Sequence, residues 1–258
     1  MNAKSAGLRF WYQSFTHPDE ARPYQQRMLA YLSQVARPNS AFELSGMDPP
    51  SRKHRITELR CALDVVRNAI RSEREGFDAF ILGHFQDSGL WEARSAVKIP
   101  VIGLGEQAML HACTLGGRIG LITIDPYYIP FHEEQVRRYG LQQRVVAVTA
   151  VKTSAPDYVR AFEDPAGRSA IREQYQQEID RLAAQGIEVI IPAGGLPSLL
   201  LENDKELDLR GAILLNGLAV AVKAAETAVE LRRLNGTAPS RASTFASPSE
   251  AALKTLEP

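Results

Sequence analysis

The residue best suited to chemistry in this chain is His84, in the stretch Gly83-His84-Phe85-Gln86-Asp87-Ser88-Gly89. It follows the apolar run 77–82, which reads as a strand, and a short helix is expected to begin at Leu90. A side chain opening such a turn points into a cleft, and the peptide N–H groups behind it sit at a helix start, where they favour carboxylates or enolates. An imidazole titrates near neutral pH, so His84 is the candidate acid/base. The same position equally admits a core histidine bonded to backbone. Asp87 reads as a helix cap or first-turn acid, and Arg94 as the partner of an acid on its own helix.

A second turn, Pro192-Ala193-Gly194-Gly195-Leu196, closes the apolar run 188–191. Its glycines allow close approach to a ligand and leave N–H groups available, whereas Ala193 brings no chemistry. A plain strand-to-helix connector fits it as well. Ser14 and Thr16 follow the first strand, with Tyr12 and Gln13 beside them, and Thr123 ends a middle strand. The expected substrate contacts are therefore Ser14, Thr16, Phe85, Gln86, Thr123, Ala193, Gly194 and Gly195.

Several familiar chemistries are excluded. Gly103-Leu104-Gly105 lacks the third glycine of a dinucleotide fingerprint, and no phosphate-loop spacing occurs. His132-Glu133-Glu134 lacks the second histidine of a zinc-binding HExxH, His111 and Cys113 face different sides of a helix, and Cys61 and Cys113 have no metal or disulfide spacing. No cofactor and no metal are expected. Thirty basic and thirty acidic residues cancel, which gives no field for nucleic acid or an anionic membrane. No apolar run reaches membrane-spanning length and the start of the chain lacks a signal-peptide core, so a cytoplasmic location is expected.

The elements that must hold these residues alternate strand and helix along the chain, which argues for parallel sheets covered by helices. Strands are expected at 8–14, 41–44, 77–82, 100–103, 118–124, 144–149, 188–191 and 212–215. Helices are expected at 18–35, 55–75, 106–115, 131–139, 168–185 and 216–234, with Leu59, Leu63, Val66 and Ile70 as the buried stripe of the second. The two strand–turn–helix units suggest an internal duplication: a first lobe of 1–106 plus 216–234, a second of 107–215, and a tail, 235–258, either disordered or an oligomer arm. Two sets of strand carboxyl ends facing each other would enclose a pocket.

The ordered set 80–90, Arg94, 99–106, 118–123, 190–196 and 216–223 resembles the hydantoin racemase branch of the aspartate/glutamate racemase superfamily, over about residues 8–233. The resemblance implies an α/β fold of two Rossmann-like lobes related by a pseudo-two-fold, an active site in the cleft between them, no cofactor, and homo-oligomers. It also implies a two-base mechanism in which one cysteine at each turn exchanges the proton next to the carbonyl of a small carboxylate or cyclic amide. Here the first cysteine position is His84 and the second is Ala193. The usual Asn-Pro-Asn-Ser/Thr signature of the first strand appears only as Tyr12-Gln13-Ser14-Phe15-Thr16, and of the usual threonine pair only Thr123 remains, followed by Ile124.

Three functions follow. The first is a cofactor-independent isomerase in which His84 shuttles the proton of a small anionic or hydantoin-like cyclic-amide substrate. The second is a lyase, decarboxylase or cyclic-amide hydrolase on the same scaffold, favoured by the loss of the cysteine pair. The third is a small-molecule binding protein without catalysis.

Overall fold

The apolar runs that read as strands are buried along their whole lengths at 79–82, 119–123 and 189–193, as parallel strands covered on both faces must be. A computed structural model describes residues 7–50 and 53–256. In the first half, β1 (Arg9–Gln13), α1 (Arg22–Val35), β2 (Ala41–Ser45), α2 (Arg55–Arg74), β3 (Ala79–Leu82), α3 (Leu90–Ala96), β4 (Val101–Gly103) and α4 (Leu104–Ala112) alternate. In the second half come β5 (Ile119–Thr123), α5 (Ile129–Arg138), β6 (Val145–Ala150), α6 (Ala155–Ala161), α7 (Pro165–Ala184), β7 (Val189–Ala193), α8 (Gly195–Leu200) and β8 (Ile213–Leu214).

Two four-stranded parallel sheets result, ordered β2-β1-β3-β4 and β6-β5-β7-β8. The same strand order in both halves is the duplication that the paired turns imply. Each half makes one lobe. The chain then runs through α9 (Gly217–Asn235), which packs on α1 and α4 of the first lobe as well as on α8 of the second. One apolar core joins the lobes, from Phe10 and Tyr12 through Leu104 and Leu218 to Leu121 and Ile190. A separate cluster, with Trp11, Phe80, Val65 and Ala93, lies between the first sheet and α2 and α3.

Three details differ from the sequence reading. In α2 the buried face is Cys61, Val65, Val66, Ala69 and Ile70, while Leu59 is 60% exposed and Leu63 40%. The small Cys61 and Ala69 let the helix lie close to the sheet, and Leu59 and Leu63 are left on a surface groove. The helix α6 was not expected; Pro156 stands in its first turn, where its missing N–H has no intrahelical partner in any case. The described part of the final segment lies against the first lobe. Arg241 donates to the carbonyls of Arg94, Ser95 and Val97 at the end of α3, and Leu253 of α10 (Glu250–Lys254) joins Leu256 on the outer cluster. Among the described residues no helix is long and apolar enough to cross a membrane.

Candidate active site

The carboxyl ends of β3 and β7 meet where the lobes join. A methyl group built on Gly195, at the start of α8, would lie 3.4 Å from the Gly83 carbonyl oxygen at the end of β3. The same point lies 2.8 Å from the Tyr24 hydroxyl and 3.4 Å from that of Tyr12. The two turns thus face each other, but two phenol rings fill the space between their glycines. A pool of free peptide amides around a small anion is not what this junction holds.

Tyr12 reaches this position because β1 alternates its side chains: Trp11 enters the outer cluster and Tyr12 the core between the lobes. Gly83 is required beneath the Tyr12 ring, since a Cβ there would sit 2.3 Å from Cζ. The Tyr12 hydroxyl is buried, with the Tyr24 hydroxyl as its polar neighbour. Burial holds its pKa far above the ordinary phenol value, so it keeps its proton.

His84 stands one residue beyond, with 14% of its side chain exposed. Its ring stacks on Phe15 at a centroid distance of 3.8 Å and an interplanar angle of 5°. Its Nδ1 lies 3.8 Å from Glu58 Oε2, too far for a hydrogen bond, and has no other hydrogen-bond partner. Glu58 is positioned from α2 by the Ser88 hydroxyl at 2.9 Å. Burial lowers the His84 pKa, and the Glu58 carboxylate opposes this only in part. At neutral pH the ring is an uncharged base with an unused lone pair or N–H.

Phe15 forms one wall of a cavity of about 420 Å³ that opens between the lobes. Thr16 and Ala21 line it from the first lobe and Ile124, Tyr128 and Ser154 from the second, so it lies outside the strand carboxyl ends as such sites do. Lys53, also on its rim, pairs with Asp125 across the gap. Thr16 is tied to the Ser14 hydroxyl at 2.8 Å. Thr16 therefore stands at the cavity with the buried Ser14 behind it, and Thr123 stands opposite Ala193 in the β5–β7 register. Gln86 does not join them. It faces an outer groove with Ser88, Trp91 and Arg138.

Behind the first turn, Asp87 is fully buried with a left-handed φ of 54°, a conformation aspartate tolerates better than most residues. Its carboxylate does not cap the helix that follows it. It accepts from the Gly105 N–H at 3.1 Å and the Glu106 N–H at 2.7 Å, at the start of α4. From the second lobe it accepts from Gln135 Nε2 at 2.9 Å and the Tyr139 hydroxyl at 2.7 Å. Burial pushes its pKa up to about 7, against the pull of these donors. Arg94 pairs with Glu106 on α4, not with an acid on its own helix, because α3 is only two turns long and ends beside α4.

Sequence reasoning missed His132. It is fully buried on α5, its ring set edge-on to Phe85 at 5.4 Å. Nδ1 meets Gln135 Oε1 at 3.2 Å and Nε2 meets Thr123 Oγ1 at 3.1 Å. Burial lowers its pKa to about 4, and neighbouring His84 adds to the lowering. The helical spacing of His132 and Gln135 was visible in the sequence, but His132 was weighed only against a zinc motif, and once that motif was rejected nothing marked it for another role. Among the described residues no cluster of three or more His, Cys, Asp or Glu is arranged to hold a metal.

A family model described as Asp/Glu/Hydantoin racemase matches residues 24–225 of the chain. A hydantoin racemase of Pseudomonas sp. (strain NS671) is 29% identical over 185 residues, covering 72% of each chain. A hydantoin racemase of Rhizobium meliloti is 29% identical over 178 residues, 69% of each. Among solved structures, an allantoin racemase from Klebsiella pneumoniae matches with a TM-score of 0.80 at 23% identity, over 95% of both chains. An allantoin racemase from Pseudomonas fluorescens matches with a TM-score of 0.75 at 22% identity, over 93% of this chain and 97% of that one. At these identities the structural matches speak to the fold.

Proposed function

The chain belongs to the Asp/Glu/hydantoin racemase family, and from that premise we propose that it is a cofactor-independent isomerase of a hydantoin-like cyclic amide, with His84 as its proton-transfer group. One observation carries the reading. An uncharged, desolvated imidazole with an unpartnered Nδ1 stands at the turn after β3, stacked on Phe15, which walls a cavity shared by both lobes.

A carbon between a ring nitrogen and a ring carbonyl is a weak acid, because its carbanion delocalises into the carbonyl oxygen. His84 takes that proton as general base, and inversion follows when the planar enolate is reprotonated on its other face, by solvent water or after the ring turns over in the cavity so that the imidazolium returns the proton there. Phe15 keeps bulk water off the imidazole, and the nearby Glu58 carboxylate favours the imidazolium formed in mid-reaction. The buried hydroxyl of Tyr12 is available to donate to the developing enolate oxygen, an interaction that strengthens as charge grows there.

Ala193, which offers no group for the opposite face, favours a second reading: a one-sided reaction such as decarboxylation or ring hydrolysis. The test is incubation with one enantiomer of 5-methylhydantoin, followed by optical rotation and mass spectrometry. Isomerisation abolishes rotation at constant mass. Ring opening adds the mass of water, and decarboxylation of a carboxylated analogue removes carbon dioxide. An unchanged solution would exclude this ring as substrate.

A further inference from the structure

The chain Thr123–His132–Gln135–Asp87 runs through the junction of the lobes with every side chain at most 1% exposed, and its hydrogen bonds have a direction that can be read. The direction starts at Gln135. Its Nε2 faces two acceptors, the Phe85 carbonyl and the Asp87 carboxylate, so the nitrogen must lie on that side and Oε1 on the other. Oε1 only accepts, and His132 Nδ1 must therefore carry the hydrogen that meets it at 3.2 Å. A neutral ring protonated at Nδ1 has a bare Nε2, and the Thr123 hydroxyl donates its only hydrogen to that nitrogen at 3.1 Å.

We infer that His132 is a positioning residue that turns the Thr123 hydroxyl into a fixed hydrogen-bond acceptor, so that the molecule bound in the cleft must present an N–H, not a carboxylate oxygen, at the end of β5. The inference rests on the reading of the cleft as the substrate site. Thr123 ends the strand that leads into Ile124, which lines the inter-lobe cavity. With its hydrogen turned toward α5, the hydroxyl has only lone pairs left for a ligand. A carboxylate there would meet lone pairs with lone pairs. A ring N–H of an imide or ureide would be satisfied.

Neither side chain alone could hold this arrangement. A free threonine hydroxyl rotates to suit its partner. An imidazole without Gln135 could present either tautomer, and a charged one would donate to Thr123 from Nε2. The low basicity conferred by burial keeps the ring neutral across the working pH range.

The test has two arms. In the first, long-range proton–nitrogen NMR of histidine-labelled protein reads the His132 tautomer between pH 5.5 and 8, assigned by its loss in His132→Gln. The expected pattern is neutral with Nδ1–H. An Nε2–H ring or an imidazolium would overturn the inference, whichever ring the protein turns over. In the second, KM and kcat are measured for 5-methylhydantoin and its 1-methyl and 3-methyl derivatives. Wild type should reject one N-methyl derivative by at least about tenfold in kcat/KM, because methylation removes the matching N–H. The preference should vanish in Thr123→Val and His132→Leu, mainly through KM, and persist in His132→Gln, whose amide oxygen can still accept from Thr123. Equal discrimination in wild type and Thr123→Val would overturn the assignment of the N–H to this hydroxyl. If wild type turns over none of the three rings, the hydantoin reading fails, and the first arm alone still decides the direction of the hydroxyl.

Discussion

The amide of Gln135, on the second lobe, donates at 2.9 Å to the carboxylate of Asp87, on the first, and the same nitrogen donates to the Phe85 carbonyl. With Tyr139 at 2.7 Å, Asp87 draws two side chains of one lobe onto the turn that carries His84 in the other. One buried carboxylate therefore ties the turn that carries the imidazole directly to the second lobe.

Asp87→Ala should be among the most damaging single changes outside the cleft. It strands two α4 N–H groups, the Tyr139 hydroxyl and one of the two N–H bonds of the Gln135 amide in a buried site. We expect a loss of about 3 kcal/mol or more by chemical denaturation, on the scale seen when a buried charged partner is removed. Tyr139→Phe, which removes one donor of four, should cost only about 1 kcal/mol.

Tyr12→Phe separates stability from function. The hydroxyl has only the buried Tyr24 hydroxyl beside it, so removing it should change stability by no more than about 1 kcal/mol. Turnover should fall if the hydroxyl serves the enolate, and the two are read on the same preparation by calorimetry and polarimetry.

Acid should destabilise the fold through His132. Its folded pKa is about 4, against about 6.5 in the unfolded chain. Between those values the unfolded chain binds a proton that the folded chain refuses, so stability falls as pH drops through that window, by roughly 3 kcal/mol in all. Asp87, raised to about 7, acts in the opposite sense: the folded chain holds its proton where the unfolded one has lost it. Subtracting the pH profile of His132→Gln from that of wild type isolates the histidine, and the difference should grow toward neutral pH. His84 contributes in the same direction as His132, and its neighbours Glu58 and Phe15 are unchanged in that comparison.

The sequence carried the two-lobed alternation because parallel strands covered on both faces are written as short apolar runs. It carried the place of His84 because a strand followed by a glycine-bearing turn has a defined carboxyl end. It did not carry the filling of the junction. Strand alternation says which face Tyr12 occupies, not that its ring reaches Gly195. Nor did it carry the Thr123–His132–Gln135–Asp87 chain, whose ends lie in different lobes, or the face of α2, where Cys61 and Ala69 outcompete Leu59 and Leu63 through closeness of approach.

The most direct measurement is deuterium uptake at C5 of 5-methylhydantoin in D₂O, followed by NMR with wild-type and His84→Ala protein at equal folded concentration. A proton-transferring His84 requires wild-type exchange well above the buffer rate and a drop of at least about 10² in the variant, the usual scale for losing a general acid/base. Exchange that survives intact without the imidazole would contradict the account.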